Sequence, residues 1–549
     1  MFRVQTLGSG SFWLPISHRL TGDGEIMGWK GWCAFGAVSL IVFAVFFWPE
    51  ANPADQQKQT YQQHLHDARS LALGARSQTK QIVERAAHFP SLLPQQILSE
   101  TGDWPQIHTR HVLRVAVPYN RTYFYNDNNL TRGISTEILA ELERYLNVTL
   151  KTGDDPIAVL AVPVASQQLI TTVTQGLADV AIGDISISVE SLKQVDFIGF
   201  KGLAQYDILV AGPQSPAIQL EQDLSGQPLS IRRDGRYQKS LDQLNQRLIK
   251  AGKVVTDSRT VPDELEDEDL LEMLNAGLLD FAVIDDRKAR LWQPVYSDIR
   301  LYQNIRLSTG KRVGWAIRKQ SPLLAKVLMG FGDLAGKEQE AAIRFAKYQS
   351  KLPKLAAARS QDAVQKAQHV DSLVQKYAHQ YHFDPLLLLA QGYQLSRLDQ
   401  SYVSAQGPIG LMQVMPTTGQ AMQVGDIHTL EPNLHAAIKY LDELRQKYFN
   451  DADIPEQDKM LFALAAYQAG PVSIARMRDL AATQGRDPDR WFGEVELVVA
   501  RELGNDTARY MRNILKYSVL YDQMLNKLLL TPNKSGSDSA SSVPAAAHH

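Results

Sequence analysis

FDPLLLLAQGYQLSRLDQSYVSAQGPIGLMQVMP, residues 383–416, decides how the C-terminal part of the chain folds. Asp384 before Pro385 is a helix start: an N-cap carboxylate accepts from free first-turn N–H groups, and proline at the first helical position gives up no donor that was in use. A helix therefore runs from about Pro385 to Ser396. A polar segment follows and leads into Gly407-Pro408-Ile409-Gly410-Leu411-Met412-Gln413-Val414-Met415-Pro416. Downstream stands a second compact block, Ala465-Ala466-Tyr467-Gln468-Ala469-Gly470.

These two blocks resemble the lytic transglycosylase (SLT, goose-lysozyme-like) domain, in which a helix closes on a Glu-Ser pair and is followed by a G-L-M-Q-x-M-P loop and an A-Y-N-A-G segment. The resemblance places Ser396, Gly410, Leu411, Met412, Gln413, Tyr467, Gln468 and Tyr510 at a glycan-binding groove. It also exposes a departure. Where the family reads Y-Q-E-S, this chain reads Tyr393-Gln394-Leu395-Ser396, so Leu395 occupies the position of the family's general acid and base. Losing a positioned proton donor removes on the order of 100- to 10,000-fold of rate, and a route built on one carboxylate has no partner to fall back on. Gln468 in place of the family's asparagine is a milder change. The expectation is a domain that binds glycan and cuts it poorly or not at all. Asp399, four residues after Leu395, is a weak substitute candidate whose shorter arm and different height suit loop capping better; Glu431 and Glu443 are plainer still.

At 549 residues the chain is long enough for two or three domains. Lys plus Arg at 57 against Asp plus Glu at 59 leaves no field to recruit nucleic acid, which is not an expected partner. A single cysteine, Cys33, excludes an intrachain disulfide, and the 13 scattered histidines include no H-E-x-x-H, so no metal or other cofactor is expected. Residues 31–48, GWCAFGAVSLIVFAVFFW, carry no charge and suffice for a transmembrane helix with Trp32 and Trp48 at its two interfaces. Arg3, Arg19 and Lys30 before it, and Glu50 and Asp55 after it, orient residues 1–30 to the cytoplasm and the rest outside. A cleaved signal peptide is the alternative, but the run is long for one and no clear cleavage site follows. Met27 is a second candidate start. Residues 49–108 read as a solvated helical stalk.

From about residue 109 to 345, short β-rich runs alternate with amphipathic helices, the pattern of an α/β domain. Leu113–Val117 is a strand, Gly133 opens a helix, Thr174–Gly183 is a helix end, turn and buried strand, and Ala276–Asp285 repeats the theme. This succession resembles the family 3 periplasmic solute-binding proteins, two α/β lobes around a cleft. In amino-acid-binding members an arginine five residues before the V-D-F aspartate clamps the ligand carboxylate; counting back from Asp196 gives Ser191, so that clamp is missing. The resemblance makes Asp285 the amine-holding aspartate, with Asp184, Ser188, Ser191 and Glu190 nearby, and favours a small cationic, amide-capped or peptide-like ligand. The plain alternative is a binding fold kept as a spacer or docking surface.

Residues 346–366 read as a linker, 367–530 as an all-α lysozyme-like lobe with helices near 370–381, 385–396, 433–449, 461–469 and 506–525, and 531–549 as a disordered Ser/Ala-rich tail. An anchor, a family 3 lobe and an SLT lobe in this order resemble the membrane-bound lytic murein transglycosylase F family. That resemblance implies a protein anchored in the bacterial envelope with its domains in the periplasm, with peptidoglycan, the membrane and further envelope proteins as partners. Three readings stay open: a non-catalytic peptidoglycan binder, a lytic transglycosylase using another carboxylate, and a ligand sensor or transport-associated binding protein.

Overall fold

The computed structural model describes residues 99–127, 130–149, 156–198, 204–233, 235–332, 334–349, 355 and 361–530. The expected anchor at 31–48, the segment before it, the stalk up to residue 98 and the tail at 531–549 lie outside the described residues. Among the described residues no helix is long and apolar enough to cross a membrane. The chain divides into two units, 1–89 and 90–549, and the described residues all belong to the second.

Twelve strands are described: β1 Val112–Pro118, β2 Tyr125–Asp127, β3 Leu130–Arg132, β4 Ala158–Val164, β5 Val180–Ala181, β6 Val195–Ile198, β7 Asp207–Ala211, β8 Pro228–Arg232, β9 Asp257–Val261, β10 Phe281–Asp285, β11 Arg300–Arg306 and β12 Trp315–Arg318. They form two five-stranded sheets, ordered β4-β1-β5-β12-β6 and β11-β7-β10-β8-β9, and a small β2-β3 hairpin. Each sheet is the floor of one lobe. Parallel pairing dominates the middle of both: β1 runs with β4 and β5, and β8 runs with β9 and β10. β1 and β10 are buried almost end to end, as expected of parallel strands covered on both faces.

The chain passes from the first lobe to the second after β6 and returns through β12, which pairs antiparallel with β5 and β6. The two crossing segments lie side by side: Gln205 and Lys311 exchange backbone hydrogen bonds of 2.9 and 2.7 Å, and Ser186 bridges Val313. The Asp179 of the Leu177-Ala178-Asp179 turn has a structural task. Fully buried, it pairs with Arg110, with Arg114 at 3.1 Å and with Arg318 at 3.3 Å, and their charges hold its carboxyl below the usual range against the cost of burial.

The α/β domain begins earlier than the sequence reading placed it. Residues 99–109 are packed on the first lobe rather than continuing a stalk, and Asp103 is the reason. Its carboxylate caps the Trp104–Thr109 helix through Trp104 N at 2.8 Å and also accepts from Leu323 N and Leu324 N, at the start of the Pro322–Met329 helix. The linker is shorter than expected too, because helices occupy Leu334–Gln349 and resume at Gln361.

The helical domain has eight α-helices where five were expected: Gln361–Tyr381, Pro385–Ser396, Pro416–Met422, Leu430–Tyr448, Glu456–Ala469, Pro471–Thr483, Glu496–Glu502 and Asn505–Leu530. Two of the three extra ones start on a proline, Pro416 directly after the G-L-M-Q loop and Pro471 directly after Gly470, which ends the preceding helix. The domain docks on the second lobe through the acidic Asp267–Asn275 helix. Asp269 meets Lys516 at 2.8 Å, Arg121 at 3.4 Å and Arg512 at 3.7 Å; Glu272 meets Lys516 at 2.7 Å and Arg121 at 2.8 Å, and accepts from Leu355 N at 3.2 Å. Burial alone would raise the Asp269 pKa, but the facing cations drive it well below the usual range.

Candidate functional site

The Pro385–Ser396 helix starts as its sequence dictates, with the Asp384 carboxylate accepting from Leu386 N at 2.8 Å. It stops when Arg397 and Leu398 both take left-handed backbone angles, φ 62° and 58°, and Leu398 turns into the core. Leu395 lies in the last turn, half-buried and packed against that core. The helix end is tied to the G-L-M-Q loop by Ser396, whose hydroxyl donates to Leu411 O at 2.8 Å and accepts from Asp399 N at 3.1 Å. Gly392 permits the close approach: a Cβ there would come within 2.8 Å of the Leu411 side chain and 3.3 Å of Met412 Sδ.

The loop itself is built on a buried amide. Asn433 Nδ2 donates to Ile409 O at 2.8 Å and Ile427 O at 3.0 Å, while its Oδ1 accepts from Met412 N at 2.9 Å. Gln400 adds Leu411 N to its Oε1 at 3.1 Å. Gly410, at φ 79°, leaves room for both side chains; a Cβ would sit 2.5 Å from each of their amide nitrogens. Tyr467 donates to Met412 O at 2.8 Å, and Gln468 beside it is exposed. Ser396, Gly410, Leu411, Met412, Gln413 and Tyr467 are thus brought together. Tyr510 stands near Tyr467 and against the buried amide of Gln391, without a hydrogen bond of ordinary geometry to it; burial pushes its hydroxyl well above the usual range. Gln400, Asn433 and Gln391 were missed in the sequence. A buried asparagine on an otherwise apolar helix face was the one available signal, and it carries no motif.

No carboxylate among the candidates takes the place of Leu395. Asp399 accepts from the Ser401 hydroxyl at 2.6 Å and Ser401 N at 2.9 Å, bonds that keep it ionised below the usual carboxylate range, as befits a turn cap rather than a proton donor. Glu431 is held by Lys376 at 2.7 Å and Tyr377 at 2.9 Å, and Glu443 is exposed. Glu496, a fully buried acid that sequence reading passed over, is taken up by Arg512 at 2.7 and 3.0 Å.

Between the two lobes lies a cleft of about 340 Å³. Asp184, Ser188, Ser191 and Asp285 all line it. Ser188 and Ser191 cap each other at the start of the Val189–Gln194 helix, Ser191 N to Ser188 Oγ at 3.1 Å and Ser188 N to Ser191 Oγ at 2.9 Å, so Ser191 presents no carboxylate clamp. Asp285 caps the Asp286–Trp292 helix through Arg287 N and Lys288 N. Burial, and then the neighbouring Asp184, raise its pKa from 3.8 to about 7. Burial would also raise Asp184, but Arg287 at 3.6 Å and Lys288 at 4.0 Å keep it below the usual range. Two cations that sequence reading missed share the lining: Arg236, 3.8 Å from Asp267, and Lys311, 2.5 Å from Asp207. Among the described residues no group of three His, Cys, Asp or Glu could hold a metal ion.

The profile of the family described as Transglycosylase SLT domain matches residues 372–489. Several curated proteins named membrane-bound lytic murein transglycosylase F are similar to this chain. That of Desulfosudis oleivorans is 28% identical over 321 residues, covering 55% of this chain and 68% of that protein. That of Pseudomonas fluorescens is 27% identical over 284 residues, covering 51% and 56%, and that of Aeromonas hydrophila is 25% identical over 440 residues, covering 75% and 82%. Solved structures similar to part of the chain include the arginine-bound form of truncated ArgBP from T. maritima, at 19% identity and a TM-score of 0.33, covering 42% of this chain and 98% of that one. Another is the amino acid ABC transporter substrate-binding protein AbpA from Streptococcus pneumoniae bound to L-arginine, at 17% identity and a TM-score of 0.35, covering 46% and 100%.

Proposed function

We propose that this chain, which carries an SLT domain at residues 372–489 and is similar to membrane-bound lytic murein transglycosylase F, is an envelope protein that holds peptidoglycan glycan strands with lost or strongly reduced cleavage. The observation that carries the reading is Leu395: the helix end that meets the G-L-M-Q loop through Ser396 offers an apolar side chain where proton transfer needs a carboxyl. The loop, by contrast, is fully braced by Asn433, Gln400 and Tyr467, so a binding surface survives without the acid. Asp399 does not rescue catalysis, since Ser401 holds its carboxylate ionised. The membrane anchor at residues 31–48 and the periplasmic placement of the domains belong to the same reading.

The test is digestion of purified murein with mass detection of anhydro-muropeptides. Product no greater than that of heat-treated protein is expected; clear turnover would reject the reading.

The cleft between the two α/β lobes supports a coexisting role as a small-ligand sensor. Asp184 and Asp285 face a cleft that also holds Arg236 and Lys311, so both ends of a peptide-like or amine-bearing ligand find opposite charge. A thermal-shift screen of amino acids, amines and muropeptides should raise the melting temperature for a ligand with an amine. No shift with any of them would favour a spacer.

A further inference from the structure

The G-L-M-Q loop bears an apolar rim. Tyr402, Val403 and Met415 are exposed by 46%, 56% and 44%, three large apolar side chains within one short stretch of chain. They belong to one small patch of backbone, because Val403 bridges Ile409, Ile409 bridges Val414, and Met415 follows. The loop's own polar groups are turned inward to hold this patch. Gly410 N donates to Tyr402 O at 2.8 Å, and Gln413 Nε2 donates to Tyr402 O at 3.0 Å and to Gly410 O at 2.8 Å. Gln413 takes a left-handed backbone angle, φ 51°, to do so. Its amide donor is therefore spent on the loop rather than turned toward a ligand, and what it fixes is the backbone of Tyr402.

Resting on the glycan-strand reading above, we infer that Tyr402 is a sugar-stacking residue: its ring lies against the C–H face of a pyranose in the bound strand, with Val403 and Met415 extending the contact and Gln413 as its positioning residue. A pyranose offers one face of axial C–H groups and an edge of hydroxyls, which suits an aromatic surface left half in water. These residues stand on the loop that the glycan-strand reading assigns to the groove, and that continuity makes the glycan strand the occupant rather than a protein or a lipid. Braced stacking of this kind supplies affinity without any proton transfer, the one property a groove without its acid can keep.

The experiment uses the full-length protein, with calorimetry on peptide-free glycan strands released by an amidase and co-sedimentation on whole sacculi. Tyr402→Ala should weaken both by about tenfold, and Tyr402→Trp should restore them. Gln413→Asn, which tolerates the left-handed angle but is too short to reach Tyr402 O, should lose a similar factor. The double variant should then lose little more than either single one. Wild-type binding with an unchanged Tyr402→Ala variant overturns the inference and leaves the glycan reading standing. Loss confined to peptide-bearing sacculi also overturns it, assigning the rim to the stem peptide. Additive losses would give Gln413 a contact of its own and overturn its positioning role. If wild type binds neither material, the glycan reading itself falls, and this inference with it. Melting temperatures should match throughout the Tyr402 series, since that ring is half-exposed.

Discussion

At Leu395 the proposed loss of cleavage turns on a single side chain in the last turn of the Pro385–Ser396 helix. Leu395→Glu would place a carboxyl against the core there, and partial burial would raise its pKa toward the range a proton donor needs. Anhydro-muropeptide release should rise on the order of 100-fold over wild type by mass detection, and no gain would mean the groove fails for some other reason. Asp285 makes a different prediction. A carboxyl whose pKa rises from 3.8 to about 7 on folding binds its proton more tightly in the folded state. Its contribution to stability is therefore complete below 3.8 and is lost as pH climbs through about 7. Asp285→Asn keeps the helix cap but cannot titrate, so melting curves from pH 4 to 8 should fall less steeply for the variant than for wild type. At this scale the sequence was legible where a residue acts on its neighbours. Asp384 with Pro385 gives the helix start, and Ser396 gives its end to the residue. It was not legible for Arg236 and Lys311, which reach the cleft only because distant segments fold beside it.

Elements show the same division. The eight-helix domain was readable in its long amphipathic members and not in Pro416–Met422 or Glu496–Glu502, whose two turns give no periodic signal. The G-L-M-Q loop was readable as a motif but not as a mechanical object, since Asn433, 21 residues beyond Met412, is what holds it. Asn433→Ala would strand Met412 N, Ile409 O and Ile427 O at a buried site. The expected cost is about 3 kcal/mol of stability. Chemical denaturation of the variant should show that loss together with weakened glycan binding; an unchanged midpoint would mean the loop is braced elsewhere. Glycine at 410 is equally constrained, by its φ of 79° and by the two amides 2.5 Å from where a Cβ would lie.

For the whole molecule, the junction between the α/β and helical domains is the least sequence-legible feature. The acidic run that opens the Asp267–Asn275 helix looks like a solvated face when taken alone. In the fold it is buried by Arg121 from the first lobe and by Arg512 and Lys516 from the last helix, Lys516 lying 244 residues beyond Glu272. Asp269→Asn would leave Lys516 and Arg512 short of countercharge in a buried seam, at about 3 kcal/mol. Calorimetry should then resolve the helical domain melting before the lobes, whereas wild type should show closer coupling. A single unshifted transition in the variant would mean the seam contributes little to docking.

The place of β12 in the first sheet, between β5 and β6, has a consequence for how a nascent chain matures. β12 begins at Trp315, after every strand of the second sheet has been made. A chain emerging in order therefore finishes the later lobe by Arg306, while the earlier one still waits with a gap between β5 and its edge strand β6. The part begun first is closed last, by a strand that must travel back to it.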